Sequence, residues 1–211
     1  MNATVAVTAV DRVGPETVAL ELETPDGFDA APGQFVLVRA TPDDEEIARH
    51  YTLSSPTMDE TFEITVGVDP EGDLSPWLAD REPGDEIEIE GPFGEIAYER
   101  DSHVVAIAGG PGVGPAVAIA EAAQDSDYDA AVVYLDDEPA HMDRLDALSA
   151  DDVPVTIVAD GDEERLRGAI ADHVTDGQLF AFGFTEFVTT VADAIEDAGG
   201  DPDDALIENF G

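Results

Sequence analysis

The sequence predicts a two-domain fold, an antiparallel six-stranded β-barrel followed by an α/β domain built on a parallel sheet. Three observations carry this reading. Six β-rich runs crowd into residues 3–98, strands alternate with helices from residue 101 onward, and 211 residues suffice for two cores. The boundary falls at YERDS, residues 98–102, where the apolar pattern breaks, which gives domains of 1–99 and 100–211.

In the first half TVAVTAV, ETVALELETP, GQFVLVRA, RHYTLSS, FEITVGV and DEIEIEGP are β-branched or alternate apolar with polar residues. Between them VGPE, DGF, APG, PTMDE, DPEGD and REPGD supply the glycine, proline and acidic residues of turns. Closing six such strands into a barrel removes exposed sheet edges. In the second half HVVAIAGG, AAVVYLDD, VPVTIVAD, QLFAFGF and ALIENFG read as strands. GVGPAVAIAEAAQ, HMDRLDALSA, GDEERLRGAIADHV and TEFVTTVADAIEDAGG read as the helices between them. That rhythm implies parallel βαβ units with right-handed crossovers.

Fifty acidic residues stand against eight basic ones, all arginine, for a formal charge of −42. Such an excess accompanies disorder in many chains, but here 43% of the residues are hydrophobic and regularly spaced, so the chain is expected to fold. The acids run through the whole chain (43–46, 85–90, 125–129, 201–204) and describe the surface of an entire protein. Their repulsion weakens only when salt screens it, so the sequence reads as an intracellular protein of a salt-accumulating, haloarchaeal-like organism. No basic stripe exists to neutralise phosphates, which excludes nucleic acid as a partner. The absence of cysteine excludes disulfides, a thiolate nucleophile and a cysteine-ligated zinc or iron–sulfur cluster. The four histidines, at 50, 103, 141 and 173, lack metal-ligand spacing, and no metal is expected. With neither a signal peptide nor an apolar membrane run, the expected location is the cytoplasm, without membrane insertion.

Against that charge the segment RHYTLSS, residues 49–55, sets a cation beside a ring and several hydroxyls. Alternation puts Arg49, Tyr51 and Leu53 on one strand face, with His50 and Thr52 on the other. Two readings stand. Arg49 pairs with one of the many carboxylates and Tyr51 is a half-buried ring; or the strand flanks a flat cofactor, with Tyr51 as a rigid face and Arg49 gripping phosphate. In EGDLSPWLAD, residues 71–80, Ser75 reads as an N-cap with Pro76 at the first helical position. This short helix would plug one barrel end with Trp77 and Leu78 and offer free amides to a pyrophosphate. AIAGGPGVGPAVAIA, residues 106–120, is a strand, a glycine-rich turn and a helix, whose Gly109, Gly110, Gly112 and Gly114 allow a ligand close to the backbone. Its spacing differs from the G-x-G-x-x-G dinucleotide pattern, and it lacks the G-K-S/T of a triphosphate loop.

Taken in order along nearly the whole chain, these segments resemble the ferredoxin–NADP reductase superfamily. Arg49, Tyr51, Thr52 and Ser55 meet the family pattern R-x-Y-S/T-x-x-S. PGQF at 32–35 and GPFG at 91–94 resemble its barrel landmarks, and GDLS at 72–75 its G-x-x-S segment. GGPGVGP at 109–115 is similar to its G-G-T-G-x-x-P loop, and IENFG at 207–211 to its terminal E-x-F strand. Two positions depart from the pattern. Pro111 stands where threonine is frequent, and Phe182-Gly183-Phe184 stands where C-G-P is usual.

The resemblance implies a flavoprotein oxidoreductase that passes hydride from NAD(P)H to bound FAD and then electrons to a ferredoxin-like or other acceptor. Arg49 and Ser75, with Gly72, Asp73 and Leu74, would hold the flavin phosphates. Tyr51 would stack on the ring, Thr52 would bond near N5, and Phe210 would cover it; these three would carry the chemistry. His50, Leu53, Ser55 and Val66 complete the expected flavin contacts. Gly110, Gly112, Val113, Gly114, Pro115, Gly183 and Phe184 would receive the nicotinamide nucleotide. Asp136, at the end of the second parallel strand, would bond the ribose 2′-OH, which favours NADH; Arg144 is the residue that would meet a 2′-phosphate of NADPH. FMN is the alternative flavin, because DPEG is short and offers adenine no aromatic platform. A reductase of diffusible flavin and a non-catalytic binding module are the alternative functions. Without cysteine the chain has no iron–sulfur cluster of its own.

Overall fold

The computed structural model describes residues 1–41 and 46–211, so of the acidic run 43–46 only Glu46 is described. Six strands, β1 (Asn2–Gly14), β2 (Thr17–Glu23), β3 (Phe35–Ala40), β4 (Ile47–Thr52), β5 (Thr61–Gly67) and β6 (Glu86–Phe93), form one antiparallel sheet in the order β4-β3-β6-β1-β2-β5. Its two ends meet where Leu53 bridges Ile64 and the Ser54 amide donates to Glu63 O at 2.7 Å, which nearly closes the barrel. The alternation in DEIEIEGP has its expected effect: Ile87 and Ile89 are buried while Glu86 and Glu88 face out. Strand β1 outruns the segment TVAVTAV. Residues 2–6 pair with β6 and residues 7–14 with β2, and an irregularity between Val7 and Ala9 lets one strand serve both neighbours.

Between β5 and β6 lies helix α1 (Leu74–Ala79), whose Leu74 and Leu78 are buried against the barrel core with Trp77 half-buried beside them. This is the expected plug. The Arg81 guanidinium lies 4.0 Å over the Trp77 ring.

The second half is a five-stranded parallel sheet in the order β11-β10-β7-β8-β9. Its elements are β7 (Val104–Gly109), α2 (Val113–Gln124), β8 (Ala130–Leu135), α3 (Met142–Ala150), β9 (Val155–Val158), α4 (Glu163–His173), β10 (Gln178–Gly183), α5 (Thr185–Asp197) and β11 (Leu206–Asn209). All six residues of the central β7 are buried, the reason VVAIAG is apolar without alternation. Helices α2 and α3 cover one sheet face, while α4 and α5 cover the other.

Arginines stitch the halves together. Arg100, in the left-handed region at φ 60°, donates to Pro56 O on the barrel side and to Ala122 O of α2. Arg144 of α3 forms two hydrogen bonds to the Glu121 carboxylate, at 2.8 and 2.6 Å, and reaches the barrel at Glu63 Oε1 and Ser54 O, both 2.9 Å away. At the N-terminus of α2, a Cβ on Gly114 would come within 2.1 Å of Thr65 Oγ1 and 2.4 Å of Ser54 Oγ, so glycine permits the helix to dock on the barrel. No helix among the described residues is long and apolar enough to cross a membrane.

Candidate active site

Where the carboxyl ends of the parallel strands face β4 and the β5–α1 connection, a cleft of about 1010 Å³ opens between the domains. Ligands of open α/β sheets bind outside the carboxyl ends of the strands, and the volume matches the upper end of the roughly 300–1,000 Å³ usual for ligand sites. Arg49, Tyr51 and Thr52 form part of the barrel wall. Gly110, Asp136, Phe184 and residues 208–210 form part of the other.

Among the described residues Arg49 is the only cationic side chain lining this cleft, against six carboxylates from Glu16, Asp69, Asp73, Asp136, Glu138 and Glu208. Its guanidinium donates to Ala48 O at 2.9 Å and forms no ion pair among the described residues. Among the described residues no carboxylate pairs with it, and its exposed head faces the cleft where an anionic ligand would lie. Two positions along β4, burial pushes the Tyr51 phenol up to about 12, which keeps it neutral.

Thr52 is buried, and its Oγ1 donates to Glu208 Oε1 of β11 at 3.2 Å. Glu208 Oε2 is buried without a hydrogen-bond partner. Burial pushes this carboxyl up to about 7, with the Thr52 hydrogen bond opposing the shift. Most buried polar atoms in folded proteins have a hydrogen-bond partner, so an unpaired one beside a cleft marks a place for a water, an ion or a ligand group. Past it, Phe210 N donates to Gly183 O at 2.9 Å, and the Phe210 ring meets the exposed Phe184 edge-on at 5.9 Å.

Residues 4–98 match the family model described as the oxidoreductase FAD-binding domain. This match takes in the barrel half of the chain. The chain is 40% identical over 89 residues to a glycine betaine monooxygenase reductase subunit of Chromohalobacter salexigens, covering 40% of this chain and 24% of that protein. It is 30% identical over 134 residues to a human NADH-cytochrome b5 reductase-like protein, covering 61% of this chain and 42% of that one. The chain thus spans less than half the length of these relatives. The fold is also that of a ferredoxin NADP+ reductase from Neisseria gonorrhoeae solved with bound FAD and NADP, at a TM-score of 0.80 and 19% identity over 100% of this chain and 99% of that one.

For a FAD-binding barrel, the cleft has the right chemistry: an exposed guanidinium without an ion pair among the described residues, a neutral ring, a hydroxyl and an unpaired carboxyl oxygen beside them. Gly72, Asp73, Leu74 and Ser75 line it too. Ser75 is not the N-cap, however. Asp73 holds that position, Leu74 and Ser75 start the helix, and Ser75 Oγ accepts from Asp69 N at 3.1 Å, so it closes the loop before the helix. Pro76 accordingly falls at the third helical residue, where its missing N–H still leaves no intrahelical bond unmade. His50 lies in the cleft wall along with Arg49, although alternation separates them; β4 is the end strand of its sheet, so both are exposed, and the His50 ring meets Phe35 at 5.0 Å.

Other expected contacts lie behind the wall. Leu53 and Val66 are fully buried in the barrel core, and Ser55 Oγ accepts from Glu63 N at 2.6 Å. In the glycine-rich turn only Gly110, Pro111 and Pro115 line the cleft. Gly110 has φ 55° and open space where a Cβ would stand. Gly112 abuts Phe182 O, Val113 is buried, Gly114 abuts the barrel hydroxyls, and Gly183 abuts the Phe187 ring, so these four serve packing in this arrangement. Arg144 is held in half-buried ion pairs with Glu63 and Glu121 and is absent from the cleft. Glu208 is not legible as a site residue from local chemistry; its signal in the sequence is the resemblance of IENFG to the terminal E-x-F strand. No group of three or more histidine or acidic side chains among the described residues is arranged to hold a metal ion.

Proposed function

We propose that the chain is a FAD-dependent oxidoreductase that takes hydride from NADH and delivers electrons to a separate acceptor, a ferredoxin or another redox protein. In this reading residues 1–99 hold FAD and residues 100–211 the coenzyme, in the cytoplasm of a salt-accumulating cell. The observation that carries it is the convergence of Arg49, Thr52 and the unpartnered Glu208 oxygen on one cleft. FAD, when bound, supplies the hydride acceptance and the one- or two-electron release that side chains lack.

The chain's own residues bind, orient and shield. Arg49 neutralises a diphosphate in a cleft otherwise lined with carboxylates, and Tyr51 offers a neutral ring face. Thr52 Oγ1, already a donor to Glu208, keeps lone pairs that accept from a ligand N–H. Glu208 holds a proton at its buried carboxyl below about pH 7 and loses it above. Phe184 and Phe210 give the cleft mouth an apolar rim that limits water. For the coenzyme, Asp136 presents a carboxylate, and Arg144, the expected partner of a 2′-phosphate, is engaged by Glu121 and Glu63; both facts support NADH.

Purification in high salt tests the proposal. The expected product carries one FAD per chain and reduces ferricyanide at the expense of NADH. A colourless chain that reduces only added free flavin would replace it with the diffusible-flavin reading, and flavin release as FMN alone would remove FAD from it.

A further inference from the structure

We propose that His141 is a positioning residue: it pins the loop bearing Asp136 to the barrel and thereby sets where the adenosine half of the coenzyme lies relative to Arg49 and Thr52. The inference rests on the coenzyme-binding reading above. Residues 136–141 connect β8 to α3 and are anchored at both ends in different domains. At the β8 end Asp136 Oδ2 accepts from Tyr134 Oη at 2.9 Å and Oδ1 from Glu138 N at 2.8 Å, while Tyr134 Oη accepts from Ala140 N at 3.1 Å. The loop itself aims the carboxylate. At the α3 end the anchors belong to the barrel. His141 N donates to Val13 O at 2.9 Å, and its Nε2 lies 2.8 Å from Thr65 Oγ1, which in turn lies 2.8 Å from Ser54 Oγ. Thr65 lines the same cleft as Asp136.

The imidazole is only 3% exposed, and among the described residues its ring bonds to the barrel alone. Its backbone sits at φ 55°, a left-handed conformation that a non-glycine residue adopts at some cost. A residue needed only to fill the interface could be apolar and helical. Burial lowers the imidazole to about 3, so this tether is neutral and does not titrate near neutrality. Beside it Ala140 lies against Gly14, where a Cβ would come within 2.9 Å of the Ala140 Cβ. The loop is therefore seated on the barrel by steric fit as well as by hydrogen bonds.

The test uses the FAD-loaded chain in high salt, with ADP-ribose as the probe in calorimetry and NADH in steady-state kinetics. His141→Ala is expected to weaken ADP-ribose binding and raise KM for NADH by about tenfold, with kcat and FAD affinity held within about twofold. His141→Gln, whose amide nitrogen can take the place of Nε2, is expected to recover most of the loss. Unchanged ADP-ribose affinity in folded His141→Ala would overturn the inference, as would an equal loss of FAD. Should His141→Ala fail to fold, Gly14→Ala carries the same expectation, because it displaces the loop without touching the ring. An unaltered chain that binds no ADP-ribose would contradict the coenzyme-binding reading itself, and this inference with it.

Discussion

Thr52 Oγ1 donates a 3.2 Å hydrogen bond to Glu208 Oε1, joining residues 156 positions apart across the domain interface. One carboxyl oxygen is thereby satisfied. The other stays buried and unpaired, and burial lifts the group to about 7.

The shift has a stability consequence of definite sign. Because the folded-state value of about 7 exceeds the roughly 4.3 of an unfolded glutamate, the native state binds more protons between these values. The contribution of Glu208 is therefore fully present below about pH 4.3 and is lost as pH rises through about 7. Glu208→Gln, neutral throughout, is expected to melt above the parent protein at about pH 8 and close to it at about pH 4.5. Melting curves of both flavin-free proteins in constant high salt measure the difference. A difference that does not change with pH would show that Glu208 titrates normally.

Arg49 is predicted to serve binding and not folding. It is exposed and has no ion-pair partner among the described residues, so Arg49→Gln should leave the melting temperature of the apo protein within about a degree. Loss of a charge-assisted grip on phosphate, worth about 1.5–3 kcal/mol, should weaken FAD by roughly 10- to 150-fold. Fluorescence titration of apo protein with FAD reads the change. Undiminished affinity would return Arg49 to the role of a surface residue.

The fold was legible because its physical causes are local. Alternation in DEIEIEGP, the unbroken apolar VVAIAG and the glycine and proline turns each report a strand's burial without knowledge of its neighbours. Cleft-lining residues were legible where one segment supplies several of them, as β4 does with Arg49, Tyr51 and Thr52. Glu208 and His141 escaped because their roles arise only when distant elements meet: Glu208 needs Thr52, and His141 needs Thr65 and Val13. The glycines of the 109–114 turn show the opposite failing. Their sequence suggests room for a ligand, yet Gly112 and Gly114 use their missing side chains to seat β10 and the barrel.

Coenzyme choice follows from where the charges are held. Asp136 lines the cleft while Arg144 is occupied by Glu121 and Glu63, so NADH is expected to reduce the flavin faster than NADPH. Asp136→Ser should narrow that preference. Stopped-flow reduction by each coenzyme at matched high salt decides; an NADPH advantage of about tenfold or more, equivalent to about 1.4 kcal/mol, would contradict the assignment.

Folding is predicted to depend on salt. A formal charge of −42 on 211 residues is screened over about 3 Å at 1 M salt but about 10 Å at 0.1 M, so dilution restores the repulsion between acidic surfaces. Dialysis to about 0.1 M salt should release flavin and flatten the near-ultraviolet circular dichroism. An apo sample run in parallel separates loss of fold from loss of the ligand's own stabilisation. Retention of both signals would mean that the acidic surface is tolerated without screening.

The central claim is that the cleft brings coenzyme and FAD together for hydride transfer. Anaerobic mixing of the FAD-loaded chain with one equivalent of NADH in high salt, followed by absorbance of the bound flavin, tests it most directly. The account predicts stoichiometric bleaching on the timescale of turnover, restored by an added electron acceptor. Full FAD occupancy with no bleaching by NADH or NADPH would contradict it and leave a flavin-binding module without reductase activity.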